Sequence, residues 1–244
     1  MSDLNQIDTK RISLLVVIGS GSALAQEVVS MIDGCDKLIP LSTKGGSIKF
    51  DNSEQDLIRY PGADFSSLRS VCDSAIFPSR AQLQSVKIIS FTGVADTGLL
   101  VSMTEMEMRQ IVDANLLVNS MIASLLIKKY RGLPMSFVFI SSTRALVGDL
   151  GVIMYSATKH ALNGLVRGIS LEYGRFSINA NVLSLGILPF GLINSVPEKR
   201  LKEMIKRTAN KRFVEISSVA KSINFLFDNK DVNGAVVHCD GGYS

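Results

Sequence analysis

The stretch Ile12-Ser13-Leu14-Leu15-Val16-Val17-Ile18-Gly19-Ser20-Gly21-Ser22-Ala23-Leu24-Ala25 sets the fold. Its first seven residues are apolar but for Ser13 and rich in β-branched Ile and Val, as suits a central parallel strand buried on both faces. Small residues follow as a tight turn, and a helical pattern begins at Ala23. Such a turn lets a backbone approach a pyrophosphate, and the helix N-terminus offers free N–H groups and a favourable dipole. Taken alone, Gly19, Ser20, Gly21, Ser22, Ala23 and Leu24 fit a ligand-free βα turn equally well.

Outward from this unit, strand and helix alternate. Strands are expected at 37–41, within 57–63, and at 86–91, 137–141, 178–184 and 235–238. Helices are expected at 23–31, from Ser66 or Ser67 to Phe77, and at 104–130, 152–174, 197–208 and 216–228. Thr104 and Glu107 have capping-box spacing, and Gly174 stops the second long helix. Residues 44–56 are polar with no helical period, so an irregular connection is expected there. Repeated β-α-β units imply a Rossmann-type doubly wound parallel sheet of about seven strands with helices on both faces. The ligand site then lies at the strand carboxyl ends. A chain of 244 residues suits one domain over 1–244 and is awkward for two.

The charge balance is +4, from 26 basic and 22 acidic residues, without the concentrated basic stripe of a nucleic-acid binder. Cys35, Cys72 and Cys239 are odd in number and have no metal-ligand spacing. They read as reduced thiols of a cytoplasmic protein, with no metal site. Lys10-Arg11, the apolar run and Ala23-Leu24-Ala25 imitate a secretory leader. Asp3 and Asp8 precede the run, and cleavage would remove the first strand and turn, so no secretory signal is expected. No run reads as long and uncharged enough to cross a bilayer, so no membrane partner is expected.

Tyr155-Ser156-Ala157-Thr158-Lys159 lies near the start of the second long helix. The i, i+4 spacing puts phenol and ammonium on one face. A nearby ammonium favours phenolate and is expected to lower the Tyr155 pKa toward working pH, as a general acid or base requires. Ser142 ends the preceding strand, where a hydroxyl can hold a substrate oxygen. An NAD enzyme usually places a carboxylate about 20 residues past the glycines, on the ribose 2′-hydroxyl. Here that region reads Leu41-Ser42-Thr43-Lys44. Two hydroxyls and an ammonium suit a 2′-phosphate, which favours NADP(H) over NAD(H). Lys44 also reads as a solvated loop lysine.

These features resemble the short-chain dehydrogenase/reductases across about residues 12–242. The match runs in order through the turn at 19–25, Asp64, Gly93, Asn115, Ser142, Tyr155, Lys159, Asn181 to Gly186 and Asp240-Gly241-Gly242. By that resemblance Tyr155 protonates a substrate carbonyl as hydride arrives from the nicotinamide. Ser142 positions the carbonyl, Lys159 lowers the Tyr155 pKa and bonds the nicotinamide ribose, and Asn115 helps hold a water that relays protons to Lys159. Asp64 and the Phe65 backbone meet the adenine, while Gly186, Ile187 and Leu188 face the carboxamide. Plainer roles exist: Asn115 in a helix-packing seam, Asp64 as a helix cap, Tyr155 at an interface.

The chain departs from the family pattern Thr-Gly-x-x-x-Gly-x-Gly at Ile18, Ala23 and Ala25, and the two methyl groups are expected to narrow the approach to a pyrophosphate. Ser90-Phe91-Thr92-Gly93 stands for Asn-Asn-Ala-Gly, Leu185-Gly186 for Pro-Gly, and Phe190 for a Thr. Arg144 follows Ser142 by two residues and reads as a substrate contact or a solvated side chain. The basic segment 198–212 reads as a lid or a solvated amphipathic helix. Together they suit an anionic small-molecule carbonyl substrate, an acyl carrier thioester or a nucleotide-linked keto sugar. The leading expectation is a carbonyl reductase closest in pattern to 3-oxoacyl-(acyl-carrier-protein) reductases. The alternatives are a ketosugar reductase and a dinucleotide-binding sensor or scaffold without turnover. Apolar positions such as Met121, Ile122, Leu125 and Leu126 are expected to exceed what one sheet face covers, implying a homo-oligomer, tetramer or dimer.

Overall fold

The opening apolar run forms β1 (Ile12–Ile18), in which Leu14 through Val17 are wholly buried. It is followed by β2 (Lys37–Ser42), β3 (Ser47–Phe50), β4 (Ser53–Asp56), β5 (Ile58–Arg59), β6 (Leu83–Ser90), β7 (Met135–Ser142), β8 (Ile178–Leu185) and β9 (Val236–Cys239). The computed structural model describes residues 11–243 except 96, 97, 192, 194 and 195. Seven strands make one parallel sheet in the order β5-β2-β1-β6-β7-β8-β9.

The helices are α1 (Ala23–Val28), α2 (Phe65–Asp73), α3 (Glu105–Val112), α4 (Val118–Tyr130), α5 (Arg144–Val147), α6 (Ile153–Tyr173), α7 (Glu198–Lys206) and α8 (Ile216–Asp228). Strand alternation divides β1 between two cores. Leu14, Val16 and Ile18 pack with α2, α4 and α6. Leu15 and Val17 pack with α1 and α8 on the opposite face. The doubly wound sheet is therefore as the sequence implies.

Four details differ from the sequence expectation. Residues 47–56 form an antiparallel hairpin, not an irregular connection. Asp51 and Asn52 have φ of 47° and 57°, the left-handed pair that a tight two-residue hairpin turn needs. Ile48 and Phe50 are buried against Val28 and Val29 while Lys49 faces out, so the hairpin covers the α1 side of the sheet. Secondly, of the caps that the sequence left open for α2 the structure uses Asp64, whose carboxylate accepts the Ser67 N–H at 3.1 Å, in place of Ser66 or Ser67.

Thirdly, the long 104–130 helix has the expected Thr104–Glu107 capping box but widens into a π turn at Asp113–Leu117. By length and composition Glu105–Tyr130 could cross a membrane, contrary to the sequence reading, yet half of its apolar window is buried within the fold. Finally, Ile122, Leu125 and Leu126 are buried in this chain's own core and Met121 packs against it. These four positions are therefore covered within the chain itself, where α4 packs on the same core as α2 and α6.

The hairpin's docking is testable. Ile48 is 1% exposed, so Ile48→Ala is expected to cost about 2–5 kcal/mol in denaturant unfolding. A cost below about 0.5 kcal/mol, the level of an ordinary surface change, would contradict that docking.

Candidate active site

The glycine turn is shaped first by packing. Gly19 has φ +73°, and a Cβ there would lie 2.9 Å from the Thr92 nitrogen. Its N–H and that of Ser20 both donate to the Leu41 carbonyl, at 2.9 and 3.1 Å. A Cβ on Gly21 would meet Ser42 Oγ at 2.8 Å. Glycine is thus required at 19, where β1 closes on the backbone after β6, and at 21 a side chain would have to displace the Ser42 hydroxyl at the end of β2. Ser22 caps α1 by accepting the Ala25 N–H at 3.2 Å, and Ser22, Ala23 and Leu24 line a cleft. Of the two methyl groups expected to narrow that cleft, Ala25's is buried in the core beneath α1 and Ala23's lies along the lining.

Beyond this end of the cleft, Ser42 is buried and Thr43 and Lys44 are exposed. Ser42 Oγ accepts the Lys44 N–H at 3.1 Å. Arg59 stands in register with Ser42 and adds a cation at the same strand end, a neighbour that β5 was too short to reveal in the sequence. Asp64 accepts bonds from the Ser66 hydroxyl and from the Ser67 amide and hydroxyl, which hold its carboxyl below the usual range. Phe65 follows it, 43% exposed. The residues at 42–44, Asp64 and Phe65 are outside the cleft lining.

The opposite half gathers Ser142, Tyr155 and Lys159. Lys159 Nζ donates to the Thr92 carbonyl at 2.7 Å and the Ile140 carbonyl at 2.8 Å. The side chain is 3% exposed, and burial pulls its pKa down to about 7. A Cβ on Gly93 would sit 2.8 Å from this nitrogen, so glycine there leaves the ammonium room. Tyr155 lines the cleft together with Ser142, and burial raises its phenol above the ordinary value. The Ser142 hydroxyl and the Arg144 charge act in the opposite direction without overcoming burial. This corrects the expected net lowering. Lys159 lies 6.0 Å from the Tyr155 ring centroid, turned onto two carbonyls, and burial weakens its own charge.

Asn115 is fully buried in the π turn and braces the segment after Gly93. Its Oδ1 accepts the Val94 N–H at 2.8 Å, and Nδ2 donates to Val94 O and Thr158 Oγ1, both at 3.0 Å. Its main-chain carbonyl accepts Asn119 Nδ2 at 2.8 Å. The structure therefore gives Asn115 the helix-seam contacts that were one of its two readings.

Across the cleft, Gly186 fits under the C-terminal segment, where a Cβ would meet Asp240 Cα at 2.7 Å. Ile187 and Leu188 continue the lining, and the Ile187 carbonyl accepts the Val214 N–H at 2.9 Å. The cleft holds about 1060 Å³ of empty space including its mouth, with Phe91, Phe190, Met204 and Tyr243 along apolar walls. Arg144 lines it too, ion-paired to Asp149 at 3.6 Å. Asp149 also pairs with Arg200 of α7 at 3.1 Å. From α7 it is Met204 that reaches the cleft, while Lys202 pairs with Glu198 at the surface. Sequence reading missed Asp149, Thr158, Met204 and the Thr92 and Ile140 carbonyls. A carbonyl ligand has no residue-type signal, and Asp149 lies in a loop whose course no period predicts.

The family profile described as enoyl-(acyl carrier protein) reductase matches residues 78–244. A 3-oxoacyl-[acyl-carrier-protein] reductase of Buchnera aphidicola is 26% identical over 161 residues, 64% of this chain and 64% of that one. The match thus spans less than two thirds of that relative's length. Among solved structures, ligand-free aldohexose dehydrogenase of Thermoplasma acidophilum superposes with TM-score 0.82 at 23% identity, covering 95% of this chain and 94% of the other. ElxO with NADP bound gives TM-score 0.76 at 19% identity over 95% and 98% of the two chains. At such identities these two likenesses carry the fold alone. The profile, though, spans more than half of the chain and contains Gly93, Ser142, Tyr155, Lys159 and Gly186. The chain belongs to the short-chain dehydrogenase/reductase family of oxidoreductases.

Proposed function

We propose that the chain interconverts a carbonyl and an alcohol using NADP(H), with Tyr155 as general acid/base. The observation that carries this reading is that Ser142, Tyr155 and Lys159 line the same cleft that begins at the N-terminus of α1. The dinucleotide, when bound, supplies or accepts the hydride. Its fit is supported by the glycine at position 93, whose missing Cβ leaves space beside Lys159, and by the cleft's length. Ser22, Ala23 and Leu24 would hold the pyrophosphate, Lys159 the nicotinamide ribose, and Gly186, Ile187 and Leu188 the carboxamide. In the reducing direction Ser142 orients the substrate oxygen and stabilises its developing charge, and Tyr155 gives its phenolic proton to that oxygen. In the oxidising direction the phenolate takes the proton back. Lys159 sets the proton balance from below, and Asn115 keeps the Gly93–Val94 backbone, and with it the Lys159 socket, in place.

The apolar walls at Phe190 and Met204 support an acyl thioester as substrate, with a keto sugar as the second reading through the Arg144 cation. Leu171, 86% exposed on α6, supports assembly into a homo-oligomer. Substrate-dependent oxidation of NADPH separates either enzyme reading from a dinucleotide sensor.

Tyr155→Phe is expected to lower kcat by about 10²–10⁴-fold with the melting temperature and dinucleotide affinity unchanged. Wild-type turnover in that variant would contradict the assignment. NADPH is expected to bind more tightly than NADH, since 41–44 lacks a carboxylate and Lys44 and Arg59 flank Ser42. Lys44→Asp then shifts the preference toward NADH in titrations of both dinucleotides, and an equal or stronger wild-type affinity for NADH would overturn it. The last expectation concerns Lys159. Unfolded, the lysine keeps its proton to about 10.5; folded, it releases it at about 7. Between these values the unfolded state binds more protons, so stability rises with pH across that window, and the full cost of the buried charge applies below it. Lys159→Met removes this rise. Parallel melting curves for the two proteins across the window would show that Lys159 is not the group responsible.

A further inference from the structure

Three charged residues between β7 and α7 are linked in a way the proposed reaction does not use. Asp149 engages a cation with each carboxylate oxygen. Oδ2 lies 3.6 Å from Arg144 Nε, and Oδ1 lies 3.1 Å from Arg200 Nη2. Oδ1 also accepts the Leu150 N–H at 2.9 Å, which fixes the carboxylate to its own loop. The Asp149 and Arg144 side chains are 15% and 18% exposed, so the pair is shielded from the screening that weakens surface ion pairs. Arg144 lines the cleft, and its Nη2 faces the Met204 thioether at 3.7 Å, a weak acceptor. The Arg144 main-chain N–H donates to Ser142 Oγ at 3.3 Å, which ties Arg144 to a hydroxyl that lines the cleft with Tyr155.

We propose that Asp149 is a positioning residue that pins the Arg144 guanidinium beside Tyr155 and, by sharing its carboxylate with Arg200, makes that placement depend on α7 being docked over the cleft. The proposal rests on Tyr155 as the acid/base. A fixed cation near a phenol favours phenolate, opposing the effect of burial. Among the described residues lining this cleft, the other charged or titratable groups are Lys159 on the helix of Tyr155 and Tyr243, with Arg207 stacked over the Tyr243 ring at 4.8 Å. Ser142 of β7 shares the lining. Asp149 acts on Arg144, and Arg144 acts on the phenol.

The test follows the Tyr155 phenol in two ways: by ultraviolet difference titration against Tyr155→Phe, and by the pH dependence of kcat/KM. Arg144→Gln is expected to move the titration to higher pH by about one unit. Asp149→Asn is expected to move it the same way, because the released guanidinium leaves the phenol. The double variant moves it no further, and Asp149→Glu restores most of the wild-type position. The matching limb of the kcat/KM profile follows these shifts. A shift to lower pH in Asp149→Asn would mean that Asp149 merely screens Arg144, and would overturn the proposal. So would an unmoved titration in either single variant, or an additive double. The ultraviolet titration needs no turnover, so an active Tyr155→Phe enzyme would defeat the catalytic assignment while the tether is still judged on its own.

Discussion

β6 and β7 stay paired as far as Ser90 and Phe139, and just beyond that last pair the amine of Lys159 takes the carbonyls of Thr92 and Ile140. The amine bridges the two diverging strand ends from α6, and the site is arranged around it. A lysine buried to 3% exposure is tolerated because these carbonyls replace part of its hydration, and because it can lose its proton near neutrality. Gly93 must lack a Cβ to admit the amine. Asn115 holds the next residue by both its N–H and its carbonyl, and Thr158 from α6 holds Asn115. One helical turn before Lys159, Tyr155 lines the cleft together with Ser142 at the end of β7. Moving the lysine would disturb both strand ends and the phenol together.

The same constraint explains how the glycine turn tolerates departures from the family pattern. Gly19 and Gly21 are kept where a side chain would strike Thr92 or Ser42. Ala25 stands where its methyl packs into the α1–α8 core, so losing a glycine there costs the cleft nothing. Ala23 does face the cleft, and it is the one of the two substitutions that a bound dinucleotide would meet.

Much of this was legible in the sequence, for reasons that differ by residue. The buried strands announced themselves as apolar runs, and the Ser142, Tyr155, Lys159 spacing pointed to a strand end and a helix that the fold brings into one cleft. The β3–β4 hairpin was missed because Ile48 and Phe50 alternate over too few residues to stand out in a polar segment; Asp51-Asn52 was the available turn signal. The cap of α2 stayed open among Asp64, Ser66 and Ser67 because all three are good caps. The direction of the Tyr155 shift depends on burial and on which way Lys159 points, and spacing reports neither. The link from Arg144 through Asp149 to Arg200 joins positions far apart in sequence, so it emerges only when the loop and α7 are folded together.

Everything in this cleft turns on a dinucleotide lying along it with the reactive ring beside Tyr155, and a crystal structure of the complex with NADPH is the decisive measurement. The pyrophosphate is expected at Ser22, Ala23 and Leu24, and the nicotinamide between Gly93, Tyr155 and Gly186, within reach of an oxygen held by Ser142. A cleft left empty at saturating NADPH, or a nicotinamide turned away from Tyr155, would contradict it.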